Sequence, residues 1–138
     1  TCSKWVTKNW RFSAMKKWNI SKKQASYFLP PYEWYNDSIA RWSREDGLQL
    51  VCFTPGTRSN TDYTYPEMES KYLSTDSILQ SVRGYEKKSP EGLNGFILLF
   101  HIGTDARRTD KTYSRLPDLI AELKSEGYRF VKINELVQ

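Results

Sequence analysis

The sequence predicts an α/β domain built on a mostly parallel sheet of about four strands, and three observations carry that reading. Apolar runs alternate with stretches of helical spacing along the chain. The central runs, 48–53 and 95–102, are near-continuously apolar, as in strands buried on both faces. The unusual residues cluster at the C-terminal ends of these runs, the edge where parallel sheets build their sites. An open α/β layer and roughly half of a βα barrel both satisfy this order.

The elements follow in sequence. From Lys4 to about Trp18, apolar residues fall at Val6, Trp10, Ala14 and Trp18, which is helical spacing. Tyr27-Phe28-Leu29 reads as a brief strand that ends in the rigid pair Pro30-Pro31. Asn36 is placed to cap a helix that carries Ile39, Ala40 and Trp42 and stops near Gly47. Leu48 to Phe53 is a buried-strand run closed by Thr54-Pro55-Gly56. Residues 54–73 form a long polar loop, and loops of that length usually serve a site. Ser74 and Asp76 open a helix through Ile78, Leu79, Val82 and Tyr85, followed by a turn over 87–92. Gly95 to Ile102 is the strongest strand in the chain. Leu116, Leu119, Ile120 and Leu123 mark the last helix, stopped by Gly127, and Phe130 to Ile133 reads as the last strand. The order is α-β-α-β-α-β-α-β.

Length and composition narrow the function. The 138 residues suit one domain, or one piece of a domain, over 1–138. Hydrophobic residues make up 38%, with a mean hydropathy of −0.69, which is little for a self-sufficient core. Five Trp, nine Tyr and six Phe must supply part of the apolar burial. The net charge is +5, but the longest basic run is two residues, so the charge reads as solvated surface and not as a nucleic-acid stripe. Two cysteines define neither a disulfide framework nor a zinc ribbon, and Cys52 reads as a small buried hydrophobe. No apolar stretch reaches 18 residues, so no membrane-spanning segment is expected.

Three segments stand at strand ends: Pro30 to Glu33, Thr54 to Thr57, and His101 with Gly103-Thr104-Asp105. His101 is the one histidine of the chain. A lone histidine in an apolar strand is commonly structural. At a strand end, with Asp105 and Arg107-Arg108 just beyond, it is also placed to donate a proton to a leaving group. In Pro30 to Asn36 the prolines fix the direction of the Tyr32 N–H, which suits an oxyanion donor. Tyr32, Trp34 and Tyr35 form either a platform for a sugar ring or a rigid aromatic turn over the sheet end. Asp62, Glu67, Glu69 and Asp105 are loop carboxylates whose spacing matches no metal site. With one His and no paired cysteines, this chain alone is not expected to coordinate zinc.

These residues resemble the polysaccharide deacetylase family. YFLPPYEWYN (27–36) resembles its third motif, an Arg-x-Pro-Tyr or Arg-Pro-Pro-Tyr-Gly pattern after a barrel strand. VCFTPGT (51–57) lies where the fourth motif belongs, and LLFHIGTD (98–105) resembles the last, Leu-x-His. The resemblance covers about residues 8–137 and is closest to a subgroup with PPYEWYN, FTPGT and HIGTD in that order. It implies the C-terminal portion of a distorted βα barrel, with about four parallel strands alternating with helices. It also implies a divalent metal, usually zinc, that activates water against an acetyl carbonyl of an acetylated polysaccharide or oligosaccharide.

In that family one Asp and two His hold the metal beside an Asp base, all from motifs before the third. Nothing like them precedes Tyr27, so the resemblance implies a piece that is inactive alone. It makes His101 the general acid, the Tyr32 N–H the oxyanion donor, and Pro31 the rigid residue before it. Pro31, Glu33, Trp34, Tyr35, Thr54 and Asp105 become the candidates for substrate contact. The chain departs from the pattern at Leu29, where an Arg is usual, and at Glu33, where Gly is usual. Thr54 and Pro55 stand in place of an Asp-Trp pair. A deacetylase, extracellular or periplasmic by resemblance, is the first reading; a non-catalytic glycan-binding domain on the same scaffold is the alternative. Open sheet edges further suggest self-association.

Overall fold

In the computed structural model, residues 26–136 are described. The helix expected over Lys4 to Trp18 lies outside them. The chain divides into two compact units, 1–52 and 53–138.

The described part of the first unit is a strand–helix–strand crossover. Strand β1 (Tyr27–Phe28) pairs in parallel with β2 (Gln49–Leu50), with Tyr27 opposite Gln49 and Phe28 opposite Leu50. Parallel neighbours need such a crossover between them, and helix α1 (Asp37–Glu45) provides it. Asn36 caps α1 by accepting from the Ile39 N–H at 3.0 Å. Gly47, at φ 70°, turns the chain out of the helix, and the Leu48 N–H donates to the Ser43 carbonyl at 2.8 Å. Leu48 is buried. The expected strands over 27–29 and 48–53 are therefore present but shorter.

The second unit is organised by two helices. Helix α2 (Thr75–Lys88) is capped by Ser74, whose hydroxyl accepts from the Ser77 N–H at 3.2 Å. Asp76 sits in its first turn and Lys87 and Lys88 in its last, as the helix dipole favours. Helix α3 (Leu116–Ser125) carries Pro117 in its first turn, where the missing N–H is not needed. Leu79 and Val82 of α2 meet Leu119 and Leu123 of α3, with Leu93, in one core. Tyr85, Phe96, Leu98, Phe100 and Tyr128 pack around it. The apolar spacing that predicted the helices is the spacing that builds this core.

Two expected strands do not form among the described residues. Residues 95–102 make no ladder, because side chains take N–H groups that a neighbouring strand would use. The Ile97 N–H donates to Thr54 Oγ1 at 3.0 Å, and the His101 N–H donates to Asp62 Oδ2 at 2.7 Å. The Thr54 N–H donates to the Ile97 carbonyl at 2.9 Å, and the Phe96 N–H turns back to the Leu93 carbonyl at 3.1 Å. Residues 130–133 also form no strand; the chain coils into the short helix α4 (Ile133–Leu136). Mixed helix and strand with a small parallel sheet is what the structure shows, compatible with the α/β class, and no barrel is formed by the described residues.

The long polar loop is not a solvated one. Thr57, Ser59, Asp62 and Thr64 are buried within it. It is built from 3-10 turns at Ser59–Thr61 and Pro66–Lys71. Gly56, at φ 121°, lies so close to the Tyr85 ring that a Cβ there would overlap it.

Arg83 of α2 grips Glu122 of α3 with two-pronged bonds of 2.7 to 2.9 Å. Those bonds hold the Glu122 carboxyl below its ordinary value, against the opposing effect of burial. A carboxyl depressed in the folded state lends stability above its unfolded pKa and loses it as pH falls. Glu122→Gln should therefore flatten the loss of thermal stability on acidification. Melting curves across the acid range for both proteins check this.

Candidate active site

The first unit supplies a turn. Pro30 is buried, and Pro31–Glu33 form a 3-10 turn just past β1. Tyr32 (φ 56°) and Glu33 (φ 55°) both lie in the left-handed region that favours glycine. The Glu33 N–H donates to the Pro30 carbonyl at 3.0 Å, and the Trp34 N–H to the Pro31 carbonyl at 3.3 Å. The Tyr32 N–H, just before them in the chain, has no partner among the described residues. The aromatic side chains point to solvent, Tyr32 at 84% and Trp34 at 81% exposure, with Tyr35 also exposed. Leu29 is exposed as well. The Cys52 thiol lies 3.9 Å from the Glu33 carbonyl; burial, then the Glu33 charge, pushes its pKa up.

The second unit supplies a clamp. Asp62, fully buried, takes His101 with both carboxylate oxygens: Oδ2 accepts from the backbone N–H at 2.7 Å and Oδ1 meets Nδ1 at 2.6 Å. An ionised carboxylate only accepts, so Nδ1 carries the proton of this bond. Nε2 has no partner among the described residues, and the ring is 37% exposed. The Tyr63 ring stands edge-on to the imidazole, 5.6 Å between centroids at 73°. Orientation and tautomer of His101 are thus fixed on one side while the other nitrogen stays available, the arrangement of a histidine that moves a proton.

Asp62 escaped the sequence reading, which weighed it only as a possible metal ligand. An acid–aromatic pair does stand against His101, but it is Asp62-Tyr63 and not Thr54-Pro55. Thr54 is instead a brace: its N–H and Oγ1 bond both backbone groups of Ile97, four residues before His101. Asp105 is engaged too. Arg107 takes both of its oxygens at 2.9 and 2.7 Å, holding its carboxyl well below the usual range. The Arg107 guanidinium lies over the Tyr65 ring, 3.8 Å from its centroid. Lys111 Nζ ties the same segment down, donating to the Asp105 carbonyl at 2.6 Å and the Thr104 carbonyl at 3.1 Å.

Among the described residues no three His, Cys, Asp or Glu side chains come together. Oδ1 of Asp62 is engaged with Nδ1 of His101, and Oδ2 with its backbone N–H. The described residues therefore do not furnish a metal site. None of the described helices is long and apolar enough to cross a membrane.

No family model matches the chain. It is 30% identical over 116 residues to the peptidoglycan-N-acetylglucosamine deacetylase of Bacillus cereus, covering 84% of this chain and 47% of that protein. It is 28% identical over 130 residues to the bifunctional xylanase/deacetylase of Pseudobutyrivibrio xylanivorans, covering 94% of this chain and 18% of that protein. These matches support a polysaccharide deacetylase relationship. The chain spans about half the length of the first relative and a smaller part of the second.

The left-handed turn gives the departure at Glu33 a physical meaning. A non-glycine residue in that region costs roughly 1–2 kcal/mol, part of which glycine returns as unfolded-chain entropy. Glu33→Gly should stabilise the protein by up to about 1 kcal/mol. Chemical denaturation of both proteins measures the difference; a loss of stability would show that the Glu33 side chain contributes more than its backbone strain.

Proposed function

We propose that this chain belongs to a metal-dependent deacetylase of an N- or O-acetylated glycan. His101 acts as general acid, Asp62 as its orienting carboxylate, and the Tyr32 N–H as an oxyanion donor. The observation that carries the reading is the Asp62–His101 clamp, with no partner on Nε2 among the described residues. The motif order, in the subgroup with PPYEWYN, FTPGT and HIGTD, matches the later part of a distorted βα barrel of this type.

The chemistry asks for such a histidine. When the bond from the acetyl carbon to the sugar nitrogen or oxygen breaks, the leaving atom has to be protonated. An imidazolium at His101 gives up its Nε2 proton to that atom and keeps its Nδ1 proton, hydrogen-bonded to Asp62. The free amine or alcohol leaves, acetate remains, and the ring ends neutral. While charge gathers on the carbonyl oxygen, an uncommitted backbone N–H such as that of Tyr32 stabilises it. In the resembling family a divalent metal activates the attacking water; the described residues do not hold one, and the roles given to His101, Asp62 and Tyr32 do not pass through it.

The exposed rings of Tyr32, Trp34 and Tyr35 favour a second reading, a glycan-binding domain without chemistry. Acetate release from acetylated amino-sugar oligomers separates the two. It is measured with divalent metals supplied, on this chain and on a longer protein that includes the upstream motifs. The deacetylase reading expects release from the longer protein and a fall of about 10²–10⁴-fold in His101→Ala. Unchanged release in His101→Ala would contradict the assigned acid. Sugar binding with no acetate under any metal would establish the binding reading instead.

A further inference from the structure

Arg108 is fully buried, and its guanidinium reaches both sides of the clamp. Nη1 donates to the Thr64 carbonyl at 2.6 Å and to the Leu73 carbonyl at 3.0 Å, pinning the long loop at two points. Nη2 donates to Thr75 Oγ1 at 3.1 Å and Thr112 Oγ1 at 3.3 Å, and Nε to the Asp110 carbonyl at 3.2 Å. Thr64 is the closing residue of the turn that presents Asp62. Its N–H and its Oγ1 both donate to the Thr61 carbonyl, at 3.0 and 2.8 Å. Asp62 and Tyr63 are the residues between. On the other side, Arg108 follows His101 along a short segment, with its own N–H on the Asp105 carbonyl at 3.1 Å.

One rigid, planar fork thus joins the turn that carries the carboxylate to the segment that carries the imidazole. We infer that Arg108 is a positioning residue for His101: by holding the Thr64 carbonyl it sets the reach from Asp62 to Nδ1, and through it the aim of Nε2. This rests on the acid role proposed for His101. Lysine keeps the charge but cannot reproduce the fork, so it can hold the Thr64 or the Leu73 carbonyl but not the whole set.

The chain has one histidine, which makes its ring nitrogens readable by NMR without interference. The test compares wild type, Arg108→Lys and Asp62→Asn, with far-UV circular dichroism reporting the fold. In a folded Arg108→Lys protein, the Nδ1 proton should exchange with water about tenfold faster than in wild type, in line with the loss of one charge-assisted hydrogen bond. The ring should also populate both tautomers. A merely structural role would lower the melting temperature and leave the ring signals alone, and that result overturns the inference. If Asp62→Asn also leaves the ring unchanged, the clamp itself is at fault and not the role of Arg108. Should Arg108→Lys not fold, Thr64→Val breaks the turn one contact away with the guanidinium in place. Faster Nδ1 exchange there supports the inference, and an unchanged ring overturns it.

Discussion

The guanidinium of Arg108 has five N–H donors and no exposure to solvent, so each donor has to find a protein acceptor. It finds them on Thr64, Leu73, Thr75, Asp110 and Thr112, five residues spread over the long loop, the first turn of α2 and the segment before α3. The nearest carboxylate, Asp110, is 3.5 Å away, so neutral oxygens do most of the solvating. Each donor left unmet in a buried place would cost about 1–3 kcal/mol. That constraint explains why a loop of polar residues packs inward instead of hanging in water. It also explains why Thr64, and with it the turn around Asp62, is held where it is.

The clamp and the turn at Tyr32 have matching chemical characters, each described within its own unit. After Tyr32 the next two N–H groups are tied up inside the turn, and that of Tyr32 itself has no partner among the described residues. At His101 one ring nitrogen is tied up and the other has no partner among the described residues. A free amide donor can stabilise an oxyanion, and a free imidazole nitrogen can exchange a proton.

What could be read from the sequence was what is local. The caps at Asn36 and Ser74 and the apolar faces of α2 and α3 follow from near neighbours, and the parallel pairing of the first two strands follows from the helix between them. Residues 95–102 were misjudged because a strand is made by its partners, and here Thr54 and Asp62 side chains take the bonds of a ladder. Asp62 was hidden for the same reason, since its partner lies 39 positions away and its loop reads as polar surface. The length of that loop was the signal available. Arg107 and Arg108 look alike in sequence, yet one lies on the surface against Tyr65 and Asp105 while the other is the buried hub. Glu33 stands out in the sequence as a candidate for substrate contact and as a departure from glycine, and the left-handed backbone shows why glycine suits that place.

The role of His101 depends on which of its ring nitrogens is free, because an acid aimed at a sugar needs Nε2 unblocked and Nδ1 held. The most direct measurement is the tautomer of the neutral ring in the wild-type chain, read from the two ring nitrogen shifts with added amino-sugar oligomer. A proton on Nδ1 is expected throughout, with only the Nε2 signal moving as sugar is added. A neutral ring protonated at Nε2 and not at Nδ1, or a sugar response at Nδ1 with none at Nε2, would contradict the role given to His101.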